Sequence, residues 1–489
     1  MKHLPAYAIP IVLVGLFLIL PFLGLRPQPH RAAADLAQAA RAQQLGYPEH
    51  TAAHLASAAE QQPWRPDLWE QAGSAAVQAG EPQAALDYFK RAGQAAGASD
   101  LESGLSTAAL VDLGEAYKQT GDLHGALRAW QAAAARSGYP LDLARRILAV
   151  HLALQDYPAA AADLQTLLIL EPANAEWHYR LGLLQAIDDP RRGVAYLDQA
   201  ARLDPARQPA LTALRRAWLR GDEVEEPAYR KLEVSRALAA LQEWDLAVYA
   251  LRQAVAERPD YAEAWAYLGE ALQNQPPQPG EKPDPGRGLA ELQRAIELDP
   301  GSLAAHTLLA VFWSRQGRPD RALQAMQAAA ALEPDNPALQ AQLGEALAAA
   351  GKLAEAQAVY EQAQALAPGD PAYRYLLAQF SLAYHYQVDQ IALPVARRLA
   401  AENPQDAAAL DLMAQVLIHQ GDLANALRFL GRAIQADPEY APARLHLGLI
   451  ALLQGDHASG RRELEAALEL EPAGPTADQA RRLLQAYFP

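Results

Sequence analysis

The feature that most constrains this chain is a register that returns every 34 residues. Gly301–Pro368 shows it best: Leu309, Gly317, Ala322, Ala329 and Pro334 come back as Leu343, Gly351, Ala356, Ala363 and Pro368. A fixed period of this length marks stacked helical hairpins, none of which can bury its apolar face without a neighbour. The spacing therefore predicts an all-α chain that grows along one axis. That is how 489 residues can avoid splitting into several separate globular cores.

The recurring residues have structural tasks. Gly344 and Ala356 fall where the two helices of one hairpin should cross, and small side chains there permit close approach. Ala363 does the same toward the next hairpin, so a bulky residue at any of the three overpacks the crossing. Gly351 sits just past the first helix, where a positive φ carries no Cβ penalty for glycine. Pro368 stops the second helix. Asp370-Pro371 reads as an N-cap followed by proline at the first helical position.

The register extends in both directions. Trp69, Gly73, Gly80, Ala85, Phe89 and Ala92 keep the same offsets, and Leu113-Gly114, Tyr117, Gly121, Ala126, Trp130 and Ala133 repeat them. With about twelve segments in register, the chain resembles the tetratricopeptide repeat family. That family's pattern is an aromatic, Leu-Gly and Tyr in the first helix, then Ala, an aromatic, Ala and Pro in the second. The resemblance implies an α-solenoid, a right-handed superhelix of helix–turn–helix repeats whose first helices line a concave groove holding segments of partner proteins.

Departures from the period divide the chain. Residues 1–29 read as a membrane anchor and tether, 30–207 as a first repeat block, 228–474 as a second, and 475–489 as a capping helix. Between the blocks, 208–227 holds an extra helix, Pro209 to Arg220, and the acidic link GDEVEEP, and the span Pro205–Tyr229 is read as a bend or hinge. The Pro-rich stretch Gln275 to Gly286 lies between the helices of one hairpin and predicts a surface loop. Its Pro276-Pro277-Gln278-Pro279 is either plain loop or a polyproline ligand.

Ala6 to Leu25 carry no charge and are almost all apolar, long enough to cross a bilayer as a helix. Leu25-Arg26-Pro27 follows where a cleaved signal peptide would place small residues, so a retained transmembrane helix is favoured over cleavage. The expectation is a single-pass cell-membrane protein with its repeats outside the cytoplasm.

Several chemistries are excluded by what is missing. A net charge of −15 argues against a general nucleic-acid binder, which needs clustered Lys and Arg. The absence of cysteine removes disulfides, thiolate nucleophiles and Cys-based metal sites. His50 and His54 are spaced i, i+4, but no Glu follows the first and no third ligand is indicated, so they read as a surface pair. Gly455 to Arg462 echoes a phosphate-binding loop without its Lys-Ser/Thr ending or a preceding strand. No Ser sits in a strand-to-helix elbow. The reading is of a non-enzyme with no cofactor and no metal.

The resemblance places the second, fifth, sixth, ninth, twelfth and thirteenth positions of each repeat in the groove. These include Arg145, Arg146, Tyr179, Arg180 and Arg236. Arg with Tyr suits an acidic or carboxylate-bearing peptide; the alternative is that these arginines pair with nearby Asp and Glu. A second candidate is the aromatic run Ala372 to Tyr386, with Tyr375 toward the groove, Phe380 in the core, and Tyr373, Tyr384 and Tyr386 forming either a sticky rim or larger core filling. Within Gly301–Pro368 the groove positions Ala304, Thr307, Ala341, Gln342 and Ala348 are small or bland, which directs attention to the irregular repeats on either side. The functional expectation is a membrane-anchored scaffold that binds proteins or peptides and supports an envelope or membrane assembly. The alternative is an envelope factor whose groove binds a glycan or lipid, as in polysaccharide export.

Overall fold

The computed structural model describes residues 29–277 and 281–488. Among them the chain forms 26 α-helices, one short 3-10 turn and no strand. It divides into two compact units, Met1–Val224 and Glu225–Pro489.

The first unit pairs its helices as hairpins: Pro29–Gln44 with Pro48–Gln61, Pro66–Gln78 with Pro82–Ala95, Thr107–Gln119 with Leu123–Ser137, Leu141–Ala153 with Tyr157–Leu170, and Ala175–Asp188 with Pro190–Leu203. The helix Gln208–Val224 then packs on Pro190–Leu203. It runs past Arg220, where the sequence pattern ends it, and absorbs most of the acidic link. Gly221 is buried within it, so packing carries the helix through a residue of low propensity.

The second unit opens with Pro227–Ala240 and Trp244–Glu257, followed by Ala262–Asn274 with Leu289–Leu298 and Leu303–Arg315 with Pro319–Leu332. Pro337–Ala349 with Leu353–Leu366, Pro371–Ala383 with Ala392–Glu402, Ala407–His419 with Leu423–Ala436, and Ala441–Leu453 with His457–Leu470 continue it. The last helix, Pro475–Tyr487, buries Ala477 and Ala480 against the preceding hairpin. The Pro-rich insertion lies between the helices Ala262–Asn274 and Leu289–Leu298, and Gln278 and Pro279 of Pro276-Pro277-Gln278-Pro279 are outside the described residues.

Small residues set the helix crossings. A Cβ added at Gly344 would stand 2.9 Å from the Tyr360 ring, and one at Gly73 would stand 2.7 Å from the Phe89 ring. Gly351 turns the chain at φ 78°, and Asp370 caps the next helix by accepting the Ala372 N–H at 2.9 Å. A further contact ties four of the hairpins to the one before. The proline that ends a repeat leaves its carbonyl beyond the helix, where it needs a donor. That donor comes from a side chain six residues on: His178 to Pro172 O, Trp265 to Pro259 O, His306 to Pro300 O and Gln340 to Pro334 O, all at 2.9 Å. Three unlike side chains fill one slot because each carries an N–H of suitable reach.

The single-pass membrane localisation expected from the sequence is corrected. Among the described residues no helix is long and apolar enough to cross a membrane. These helices run from 10 to 17 residues, below the ~20 that a spanning helix needs. Ala6 to Leu25, where the span was expected, lie outside the described residues.

Candidate binding face

The first helices of several consecutive hairpins touch one another as well as their own partners: Pro66–Gln78 with Thr107–Gln119 in the first unit, and Ala262–Asn274 with Leu303–Arg315 and the run from Pro337–Ala349 to Ala441–Leu453 in the second. They form a layer whose outer side is the candidate binding face.

In the first unit this face carries a network of arginines, carboxylates and aromatic rings. Glu171, in the turn between two hairpins, accepts from Arg145 Nη2 at 2.9 and 3.0 Å, from the Trp177 indole N–H at 2.7 Å and from Asn174 at 3.2 Å. The Trp177 N–H, and then the Arg145 guanidinium, hold the Glu171 carboxyl below its ordinary range. Arg145 also lies over the Trp177 ring, 5.8 Å from its centroid. Arg146 donates to Asp142 at 2.9 Å and to Glu115 at 3.4 Å, and lies over Trp130. Arg180 donates through Nε to Glu176. The other oxygen of Glu176 accepts from Arg207 at 2.8 Å, and the Arg207 guanidinium covers Tyr179 at 4.4 Å.

The structure thus sets Arg145, Arg146 and, together, Tyr179 and Arg180 in three clusters of arginine, carboxylate and aromatic ring. It adds Glu115, Glu171, Glu176 and Arg207, which sequence reasoning does not single out. Arg207 follows the repeat-ending Pro205 and so escapes a search by repeat position; Glu171, just before Pro172, escapes in the same way. Each arginine named from sequence has an acidic partner, yet Arg145 and Arg180 remain 47% and 46% exposed. Partly exposed pairs of this kind are worth little individually. An incoming carboxylate can therefore share or exchange these guanidinium groups.

The second unit arranges its candidates differently. Arg236 donates to Glu233 at 2.8 Å and covers Tyr267 at 5.1 Å. Burial pushes the neighbouring Glu263 and Glu270 carboxyls up. Along the aromatic run, Tyr375 is half-buried and donates to Asp406 at 3.0 Å. Tyr373 and Tyr386 pack against the core that holds buried Phe380. Tyr384 stays 41% exposed, so of this run it alone stands as a rim.

A cleft of about 730 Å³ opens beside Tyr384. Thr307, Val311, Ser314 and Arg315 line one wall, Gln342, Glu345 and Ala349 the other, with Met326 also reaching it. It lies over the most regular repeats, whose groove positions look bland in sequence. Small residues there are what leave the space open.

Among the described residues no group of three or more His, Cys, Asp or Glu is placed to hold a metal ion. His50 and His54 face different carboxylates, Glu49 at 3.6 Å and Asp35 at 3.9 Å.

Family models for the tetratricopeptide repeat match residues 314–380 and 417–486, and a second such model matches residues 284–337. These are tetratricopeptide repeats. No curated protein sequence matches the chain. Among solved structures, MamA from Desulfovibrio magneticus RS-1, from its residue 41 on, is 25% identical over 35% of this chain and 97% of its own, with a TM-score of 0.27. Yeast Tom70 is 16% identical over 86% of this chain and 95% of its own, with a TM-score of 0.40. YrrB, described as a TPR protein with an unusual peptide-binding site, is 20% identical over 39% and 97%, with a TM-score of 0.25. At such scores no ligand, partner or activity is carried over from these proteins.

Proposed function

We propose that this chain is a non-catalytic scaffold that binds peptide segments of partner proteins on the first-helix faces of its repeats. The observation that carries the reading is the cleft between Leu303–Arg315 and Pro337–Ala349. Its apolar floor and polar walls suit a side-chain anchor flanked by peptide backbone, since binding sites combine apolar lining with a few placed polar groups. The arginine network of the first unit supports a second contact, to a carboxylate-bearing segment, through the exposed parts of Arg145 and Arg180 with Arg146 and Tyr179 beside them. Arg236, with Glu233 and Tyr267 around it, and the half-buried Tyr373 and Tyr375 are assigned to supporting these faces. A role in assembling a multi-protein complex follows from two such faces on one chain.

The test is a displayed library of random peptides selected on the whole chain, with the retained sequences titrated by fluorescence anisotropy. A349W should weaken peptides that use the cleft about tenfold or more, the loss expected when a central anchor contact is removed. The combined change of Arg145, Arg146 and Arg180 to Glu should abolish any preference for acidic sequences. A library that yields nothing above a random-sequence control, or peptides indifferent to both changes, would overturn the proposal.

A further inference from the structure

Outside the binding faces, two histidines meet in a way that no other pair of described residues does. His385 and His419 turn their Nδ1 atoms toward each other at 3.2 Å, with ring centroids 5.1 Å apart and the rings inclined by only 22°. Both are exposed, and among the described residues neither has a carboxylate within ion-pair distance. The contrast is with His151 and His446, whose Nδ1 atoms are each held by a carboxylate, Asp163 and Asp411. A nitrogen already committed to an aspartate is part of the packing. The nitrogens of His385 and His419 are committed only to each other.

We propose that His385 and His419 form a two-histidine site for a divalent transition-metal ion. Imidazole nitrogens bind such ions at about 2.0–2.1 Å, so two of them at tetrahedral to right-angle bite lie roughly 2.9–3.4 Å apart. The observed 3.2 Å falls inside that window. In the neutral pair one Nδ1 carries a proton that the other accepts. Metal binding moves that proton to Nε2 of the same ring, leaves both Nδ1 lone pairs for the ion and releases no net proton. A small rotation of the exposed rings brings the lone pairs to a common point, and water fills the remaining positions. Imidazole ligands favour Cu²⁺, then Ni²⁺ and Zn²⁺, over the hard alkaline-earth ions.

The surroundings hold the pair in place and favour a cation. His385 stands at the turn after the helix Pro371–Ala383 with φ 49°, a slot that Gly317, Gly351 and Gly421 fill in some repeats and Gln155 and Gln242 in others. The turn is braced by Ser381, whose hydroxyl donates to Tyr386 O at 2.7 Å. It is tied to the neighbouring hairpin by Gln420, which donates to Asp389 at 2.7 Å. Gln420 directly follows His419, so the same cross-link fixes both halves of the site. His419 ends the helix Ala407–His419 and His385 lies just beyond the end of Pro371–Ala383. Both are therefore near carbonyl termini, whose partial negative charge attracts a cation.

The test is calorimetric titration of the full, untagged chain with CuCl₂, NiCl₂ and ZnCl₂ at pH 7.5, with electron paramagnetic resonance of the copper-loaded protein. The expected result is one copper site per chain with two nitrogens on the metal. H385N, chosen because Asn tolerates the left-handed backbone, and H419Q should each weaken it about tenfold or more. Unchanged circular dichroism melts would show that both variants fold. H50Q combined with H54Q should leave the site intact. Absence of binding, equal affinity in both variants and wild type, or loss only in the H50Q/H54Q chain would each overturn the proposal.

Discussion

Replacing Gly344 by Ala should destabilise the second unit, against the ordinary trend for a glycine inside a helix. Alanine is favoured over glycine in a helix interior by about 1 kcal/mol. At Gly344, however, the new methyl would lie 2.9–3.0 Å from three atoms of the Tyr360 ring. That ring cannot swing away: Tyr360 is buried and packs on Phe380 with centroids 5.2 Å apart. Overpacking of this kind costs about 1–3 kcal/mol, so the net change is a loss of roughly 0–2 kcal/mol. Gly431 is the control. It lies on the exposed side of the helix Leu423–Ala436 with nothing within 4 Å of an added Cβ, so G431A should gain about 0.5–1 kcal/mol. The assay is guanidinium unfolding by circular dichroism, with hydrogen exchange over residues 337–366 as the local readout, because repeat arrays can open in parts. Equal stabilisation by the two substitutions would refute the account of the helix crossing.

Two further outcomes follow from single contacts. H306F keeps a ring in its slot but removes the donor to Pro300 O, and should cost about 0.5–1.5 kcal/mol; H306Q, which places there the side chain that Gln340 uses one repeat later, should recover most of it in the same unfolding assay. Burial raises the Glu270 carboxyl above its ordinary 4.5, so the folded state holds this proton more tightly than the unfolded one. Its contribution to stability is present below the unfolded value and is lost as pH rises through the folded value. E270Q should therefore stabilise the chain relative to wild type above about pH 4.5, with the difference growing toward neutrality; a difference in stability independent of pH would contradict this.

Legibility in the sequence followed how few residues can do a given job. The slots of Gly344, Gly351 and Pro368 were readable because close approach, positive φ and helix termination each admit only one or two residue types. The fourth position of the repeat was less so. His178, Trp265, His306 and Gln340 look unrelated in sequence, and only the carbonyl six residues earlier reveals the shared N–H donor. The arginine face was visible as residue types, but its neutralising partners Glu171 and Glu176 come from the turn and from the helix start. The cleft beside Tyr384 was missed for the opposite reason: it is made by the smallness of residues such as Ala346 and Ala349, and a search for conspicuous side chains passes over them. The long helix Gln208–Val224 went unread past Arg220 because burial of Gly221 outweighs its propensity.

The most direct test of the scaffold reading is hydrogen exchange on the whole chain with and without a peptide selected from the random library. The account predicts added protection on Leu303–Arg315 and Pro337–Ala349, around the cleft, with little on the second helices Pro319–Leu332 and Leu353–Leu366. Protection confined to those second helices, with the first helices unchanged, would contradict it.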